Sequence, residues 1–214
     1  MGVCALVGAA DFNVVHFMGQ DFDYVIAVDG GYRHLEAIGV VPDLVLGDFD
    51  SLGYVPAHPH VEQFSSNKDE TDIELALIRA HTEGYETLVV YGCLGGRLDL
   101  SYAVFQLLAQ YAQKGLRVFA VGLDCGVTAL YGGKQDSLSF SDKARGGISA
   151  FSASGKAASV DEAGLAYALS QATLLDTEPL GVSNEFIGQP ARISVGEGTL
   201  LVFFALTAWD AITA

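Results

Sequence analysis

The stretch "LVLGDFDSL", residues 44–52, puts two carboxylates, Asp48 and Asp50, one residue apart at the end of an apolar run. Like charges at that spacing repel, and any polar residue could close a strand, so the pair suggests a cation held between them. On a regular strand the two would face opposite ways, so both reach one ion only if the chain bends there. Asp29 stands in a similar place in "IAVDGG". Two further stretches carry chemistry: "NKDETD", with Lys68, Asp69 and Asp72, and "GCLGGRLD", ending in Arg97 and Asp99. Converging carboxylates beside Gly-rich backbone are the composition of a magnesium–nucleotide site, because Mg²⁺ takes hard oxygen ligands and completes its shell with phosphate oxygens and water. Gly92, Gly95 and Gly96 let backbone amides approach phosphate, and Lys68 and Arg97 supply the cationic partners.

Each residue taken alone has a plainer reading. An acid after a strand commonly forms a turn or caps a helix, which covers Asp29 and Asp99. Asp72 and Glu74 sit where a helix favours negative charge. The Gly-rich loop is neither GxGxxG nor a Walker A. Coincidence of four such loops favours the site over the separate explanations. Other constellations fail: His58 and His60 in "HPH" lack further ligands at useful spacing, and Ser183 has no evident base.

The elements that must position these residues are readable from periodicity. Apolar runs at 2–8, 24–28, 43–47, 87–91 and 117–122 predict strands buried on both faces, as in a parallel sheet. Between them, "YRHLEAIG" stops at Gly39, "TDIELALIRAHTEG" opens with Thr71 and Glu74 at capping-box spacing, and "LSYAVFQLLAQYAQKG" follows Asp99. That alternation predicts an α/β domain over residues 1–124, with ligands beyond the carboxyl ends of the strands. From 125 to 214 the texture becomes Gly- and Ser-rich with short alternating runs, which predicts an antiparallel β module. Its end, "ARISVGEGTLLVFFAL", reads as two strands joined at Gly196-Glu197-Gly198.

Composition bounds the rest. The chain has 214 residues, half of them hydrophobic and 17% charged, enough for one large or two small cores. A net charge of −15 excludes nucleic acid as a partner in the absence of any basic patch. Three widely spaced cysteines suit a reduced, cytoplasmic compartment. "MGVCALVGAADFN" lacks a basic start and reads as a first strand, not a signal peptide, and no run approaches the ~18 apolar residues of a membrane helix.

The blocks "VDGGYRHLEAIGVVPDLVLGDFDSL", "KDETDIELAL", "GCLGGRLD", "GLAYAL" and "GVSNEFIG", in this order, resemble the thiamine pyrophosphokinase family over nearly the whole chain. The resemblance implies an N-terminal α/β domain that binds Mg-ATP and a C-terminal antiparallel β-sandwich that helps bind thiamine. It also implies a homodimer with active sites in clefts between subunits. By matched motif, Asp29, Asp48, Asp50 and Asp72 would be the magnesium and phosphate-site acids, with Asp48, Asp50 and Asp72 as catalytic metal ligands. Lys68, Gly95, Gly96, Arg97 and Asp99 would line the nucleotide, and Tyr167, Ser183 and Asn184 would meet thiamine. Leu100 and Tyr32 depart from the family pattern, since many members carry His after "GGRxD" and a small residue after "DGG". Two other functions share these residues: a nucleotide-sugar transferase with a DxD site, and a non-catalytic nucleotide-sensing module.

Overall fold

The computed structural model describes residues 2–134 and 136–213. Its strands form one large mixed sheet and one four-stranded antiparallel sheet, and the chain divides into two compact units, the first of residues 1–104 and 120–123. The second holds residues 105–119 and 124–214.

The first unit is built on β1 (Val3–Val7), β2 (Tyr24–Val28), β3 (Leu44–Gly47), β4 (Val61–Gln63) and β5 (Thr87–Tyr91). They pair in parallel in the order β5-β1-β2-β3-β4. The runs at 3–7, 44–47 and 87–91 are buried almost throughout, as parallel strands covered on both faces must be. Helices α1 (Val14–Met18), α2 (Gly31–Ala37) and α3 (Asp72–Thr82) alternate with them. Thr71 caps α3 by accepting a hydrogen bond from the Glu74 amide at 3.2 Å, and Ala76, Leu77 and Ala80 form its buried face. Helix α4 (Leu98–Lys114) and β6 (Arg117–Val121) straddle the division, which cuts α4 after Val104 and β6 after Phe119.

The second unit contains β7 (Cys125–Tyr131), β8 (Ser137–Phe140), β9 (Gly147–Ser152), β10 (Lys156–Ala163), β11 (Leu169–Leu175), β12 (Asn184–Glu185), β13 (Ala191–Ser194) and β14 (Thr199–Ala205). They pair with one another antiparallel, in the orders β12-β9-β14-β7 and β11-β10-β13-β8. Alternating burial along β8 and β9 places every second residue in the core, where the Phe140 ring lies 4.8 Å from Phe186 and 5.6 Å from Phe204. The expected strands in "ARISVGEGTLLVFFAL" are both present, but they do not pair with each other. β13 pairs with β8 and β10, whereas β14 lies between β7 and β9. The intervening turn is occupied elsewhere: the amides of Gly196 and Glu197 both donate to the Ala158 carbonyl at 3.1 Å, so the chain crosses from one sheet to the other there.

Candidate active site

The acidic centre grows out of the three connections of the first unit that follow β2, β3 and β4. β2 runs into Asp29, whose backbone is left-handed (φ 47°) and whose amide donates to the Leu46 carbonyl at 2.7 Å, locking it against the end of β3. β3 ends at Gly47 and turns through Phe49, also left-handed (φ 63°), whose ring is 3% exposed. Non-glycine residues adopt that conformation only where the surroundings hold them, and here the buried ring does so. Asp72 is the first residue of the capped helix α3. The outcome is a cluster: one carboxylate oxygen each from Asp29, Asp48 and Asp72 lie within 4.8 Å of one another.

The electrostatics of this cluster fit a divalent cation. The Ser51 hydroxyl donates to Asp29 Oδ2, but Asp29 Oδ1 is buried with no hydrogen-bond partner. A carboxylate oxygen shut from water without a donor is costly unless a cation meets it. Burial pushes the Asp72 carboxyl up from the ordinary range, and the charges of Asp48 and Asp29 push the same way. Lys68 opposes both, its ammonium 2.5 Å from Asp72 Oδ1. Lys68 thus occupies the place of a counter-ion. An all-oxygen donor set of this kind suits Mg²⁺.

Asp50 does not join the cluster. Its side chain is exposed, and it contributes its amide, which donates to Asp48 Oδ1 at 3.1 Å. The bend expected at this point exists, but with Phe49 committed to the core the chain folds Asp50 back onto Asp48 through its backbone. Asp29 supplies the third carboxylate instead.

The loop from β5 to α4 carries the remaining nucleotide candidates. Gly95 (φ 87°) and Gly96 (φ 62°) take conformations that other residues rarely adopt, and a Cβ on Gly95 would strike the Asp11 carboxylate. The Gly95 amide, expected to face phosphate, donates to the buried Ser101 hydroxyl at 3.2 Å. Arg97 and Asp99 are exposed and form a two-pronged ion pair, with contacts of 2.5 and 3.2 Å. That pairing lowers Asp99 and raises Arg97 from their ordinary ranges.

In the second unit, Tyr167 is 71% exposed, and Ser183 is left-handed (φ 61°) with its amide donating to Ser149 Oγ at 3.0 Å. Ser183 and Asn184 line an open depression of 450 Å³ together with Cys125, Ser149 and Phe203. Asn184 is buried and its carboxamide is engaged with Tyr167, Glu185 and Glu162. Glu162 was not legible in advance, since an acid in an alternating strand reads as solvent-facing.

Carboxylates gathered beyond the carboxyl ends of a parallel α/β sheet form a site able to hold a divalent cation and, through it, an anionic substrate. Residues 16–120 match the family described as thiamin pyrophosphokinase, catalytic domain. The thiamine pyrophosphokinase of Bacillus subtilis (strain 168) is 26% identical over 183 residues, covering 83% of this chain and 85% of that one. Solved structures agree in fold. Thiamine pyrophosphokinase from B. subtilis has a TM-score of 0.83 at 24% identity, covering 95% of this chain and 98% of that one. The enzyme from Geobacillus thermodenitrificans has a TM-score of 0.80 at 25% identity, with 95% and 97% covered, and that from Candida albicans 0.76 at 16%, with 95% and 88% covered. Residues 16–120 thus carry the catalytic domain of the thiamin pyrophosphokinase family, whose members are kinase-type transferases.

Proposed function

We propose that the protein transfers the pyrophosphoryl group of ATP to the hydroxyl of thiamine, giving thiamine diphosphate and AMP. The observation that carries this reading is the Asp29–Asp48–Asp72 cluster with its orphaned oxygen, set inside a matched thiamin pyrophosphokinase catalytic domain. ATP is assigned to residues 1–124 and thiamine to residues 125–214, the latter read as a β-sandwich. The chain works as a cytoplasmic homodimer.

Asp29, Asp48 and Asp72 would hold Mg²⁺, which when bound offsets the negative charge of the polyphosphate. The thiamine hydroxyl oxygen forms a bond to the β-phosphorus as the bond from that phosphorus to the α–β bridging oxygen breaks, and AMP departs. Asp72 accepts the hydroxyl proton. Lys68, released from Asp72, is then free to meet phosphate oxygen, and Arg97 lies on the neighbouring loop to do the same. Asp99 orients Arg97 through the two-pronged pair. Positioning and charge carry such transfers, so no covalent side-chain intermediate is required. Tyr167 offers an exposed ring, and Ser183 a hydroxyl, for the aromatic end of thiamine.

A DxD-type sugar transferase would need Asp48 and Asp50 to act as a pair, which the exposed Asp50 does not support. Incubation with Mg-ATP and thiamine should yield AMP and thiamine diphosphate in equal amounts. Release of ADP with thiamine monophosphate, or no product, would overturn the reading.

A further inference from the structure

Asn184 opens β12 and is 5% exposed. Every hydrogen-bonding capacity of its carboxamide is used. Its Oδ1 accepts from the amides of Tyr167 and Glu185, each at 2.9 Å. Its Nδ2 donates to the Tyr167 carbonyl at 2.6 Å and to Glu162 Oε2 at 2.7 Å. One side chain therefore grips both backbone groups of Tyr167 while the ring of that residue stands in solvent. A residue so fully bonded has nothing left for a ligand.

Glu162 sits behind it in β10, 2% exposed, and its second oxygen, Oε1, has no partner. A buried carboxyl with an orphaned oxygen is a poor choice for stability alone. What it does supply is direction. Facing an acceptor, the Asn184 carboxamide must turn its NH₂ towards Glu162, which leaves Oδ1 on the side of the Tyr167 and Glu185 amides. A flipped carboxamide would set its oxygen against the carboxyl and its NH₂ against two N–H donors.

We propose that Glu162 is a positioning residue, which through Asn184 fixes the Tyr167 loop against the Ser183–Glu185 segment and so holds the Tyr167 ring and the Ser183 hydroxyl ready for an aromatic acceptor substrate. The proposal rests on the reading of Tyr167 and Ser183 as thiamine contacts, and it moves Asn184 from contact to clamp.

The test uses the full-length protein with Glu162→Leu, which removes the acceptor, and Glu162→Gln, which keeps it. Amide hydrogen exchange at Tyr167 and Glu185 reports the clamp, and KM values for thiamine and ATP report its use. Glu162→Leu should speed exchange at both amides and raise the thiamine KM by about tenfold with the ATP KM unchanged, and Glu162→Gln should restore both. Should Glu162→Leu fail to fold, Glu162→Asp withdraws the acceptor by one methylene and is read in the same way. Unchanged exchange overturns the clamp. Faster exchange with an unchanged thiamine KM, or an equal rise in both KM values, overturns the positioning role. A wild-type protein that makes no thiamine diphosphate sinks the substrate assignment instead, and the exchange arm still decides the clamp.

Discussion

Asp29 meets two opposed demands: its backbone is held left-handed, and one of its carboxylate oxygens is buried without a donor beside two other acids. Asparagine tolerates the same backbone and would carry no charge, so Asp29→Asn should raise thermal stability, by about 0.5–2 kcal/mol, while turnover falls. Differential scanning calorimetry and an AMP-release assay measure the two halves, and a variant that is less stable would refute the account of the cluster. A second comparison separates the acids of the Asp-Phe-Asp stretch. Asp48→Asn should lower kcat/KM by roughly 10²–10³-fold, and Asp50→Asn by distinctly less. Equal losses would return Asp50 to the metal. Asp48 and Asp72 could be read from spacing and motif, because an acid at a strand end and one at a helix start are fixed by local chain geometry. Asp29 stood with them among the acids of the family motif, but the exclusion of Asp50 could not be read, since it depends on which way the Phe49 turn throws its neighbours.

At the level of elements, the strands of the parallel half were legible to within a residue or so, because strands covered on both faces leave uninterrupted apolar runs. Helix α3 was equally plain from its cap. The short helix α1 and strand β4 gave no periodic signal, having five and three residues. The partners of β13 and β14 were hidden for another reason. A Gly-Glu-Gly turn is compatible with a hairpin, and only long-range pairing decides otherwise. Glu162 in β10 carries the pH dependence expected of this half. Burial pushes its carboxyl above the ordinary glutamate range, opposed by the Asn184 hydrogen bond. A raised folded-state value means that the stabilising neutral form is complete at acid pH and is lost as pH climbs through that value. The melting temperature of Glu162→Gln minus that of wild type should therefore grow with pH from about 4.3 upward and then level off. A difference that shrinks over the same range would show that Glu162 is better solvated than its burial implies.

For the whole molecule, charge is the dominant fact. With 26 acids against 11 bases, three of the acids packed together, the folded chain should be stabilised by Mg²⁺ even without nucleotide. Saturation to a hundred times the dissociation constant would add about 2.7 kcal/mol, visible as a rise in melting temperature that Asp48→Asn abolishes. A rise that survives in Asp48→Asn would place the ion elsewhere. Native mass spectrometry should find twice the 22.6 kDa chain mass, and a monomer at micromolar concentration would exclude the homodimer. Among the described residues no helix is long and apolar enough to cross a membrane.

Beneath the acids, backbone touches backbone. A Cβ on Gly31 would run into the Val7 carbonyl, and one on Gly92 into the Gly8 carbonyl, while Gly8 in turn faces the Gly92 oxygen. These three positions act as a mutual veto: no single replacement at one is relieved by the freedom of another. Sequence space around the active centre is therefore divided unevenly. A library randomised across the first hundred residues should return blanks at 8, 31 and 92 whatever substrate is selected for, and any drift in specificity will have to enter through Tyr32, Leu100 and the other side chains that stand on this immovable floor.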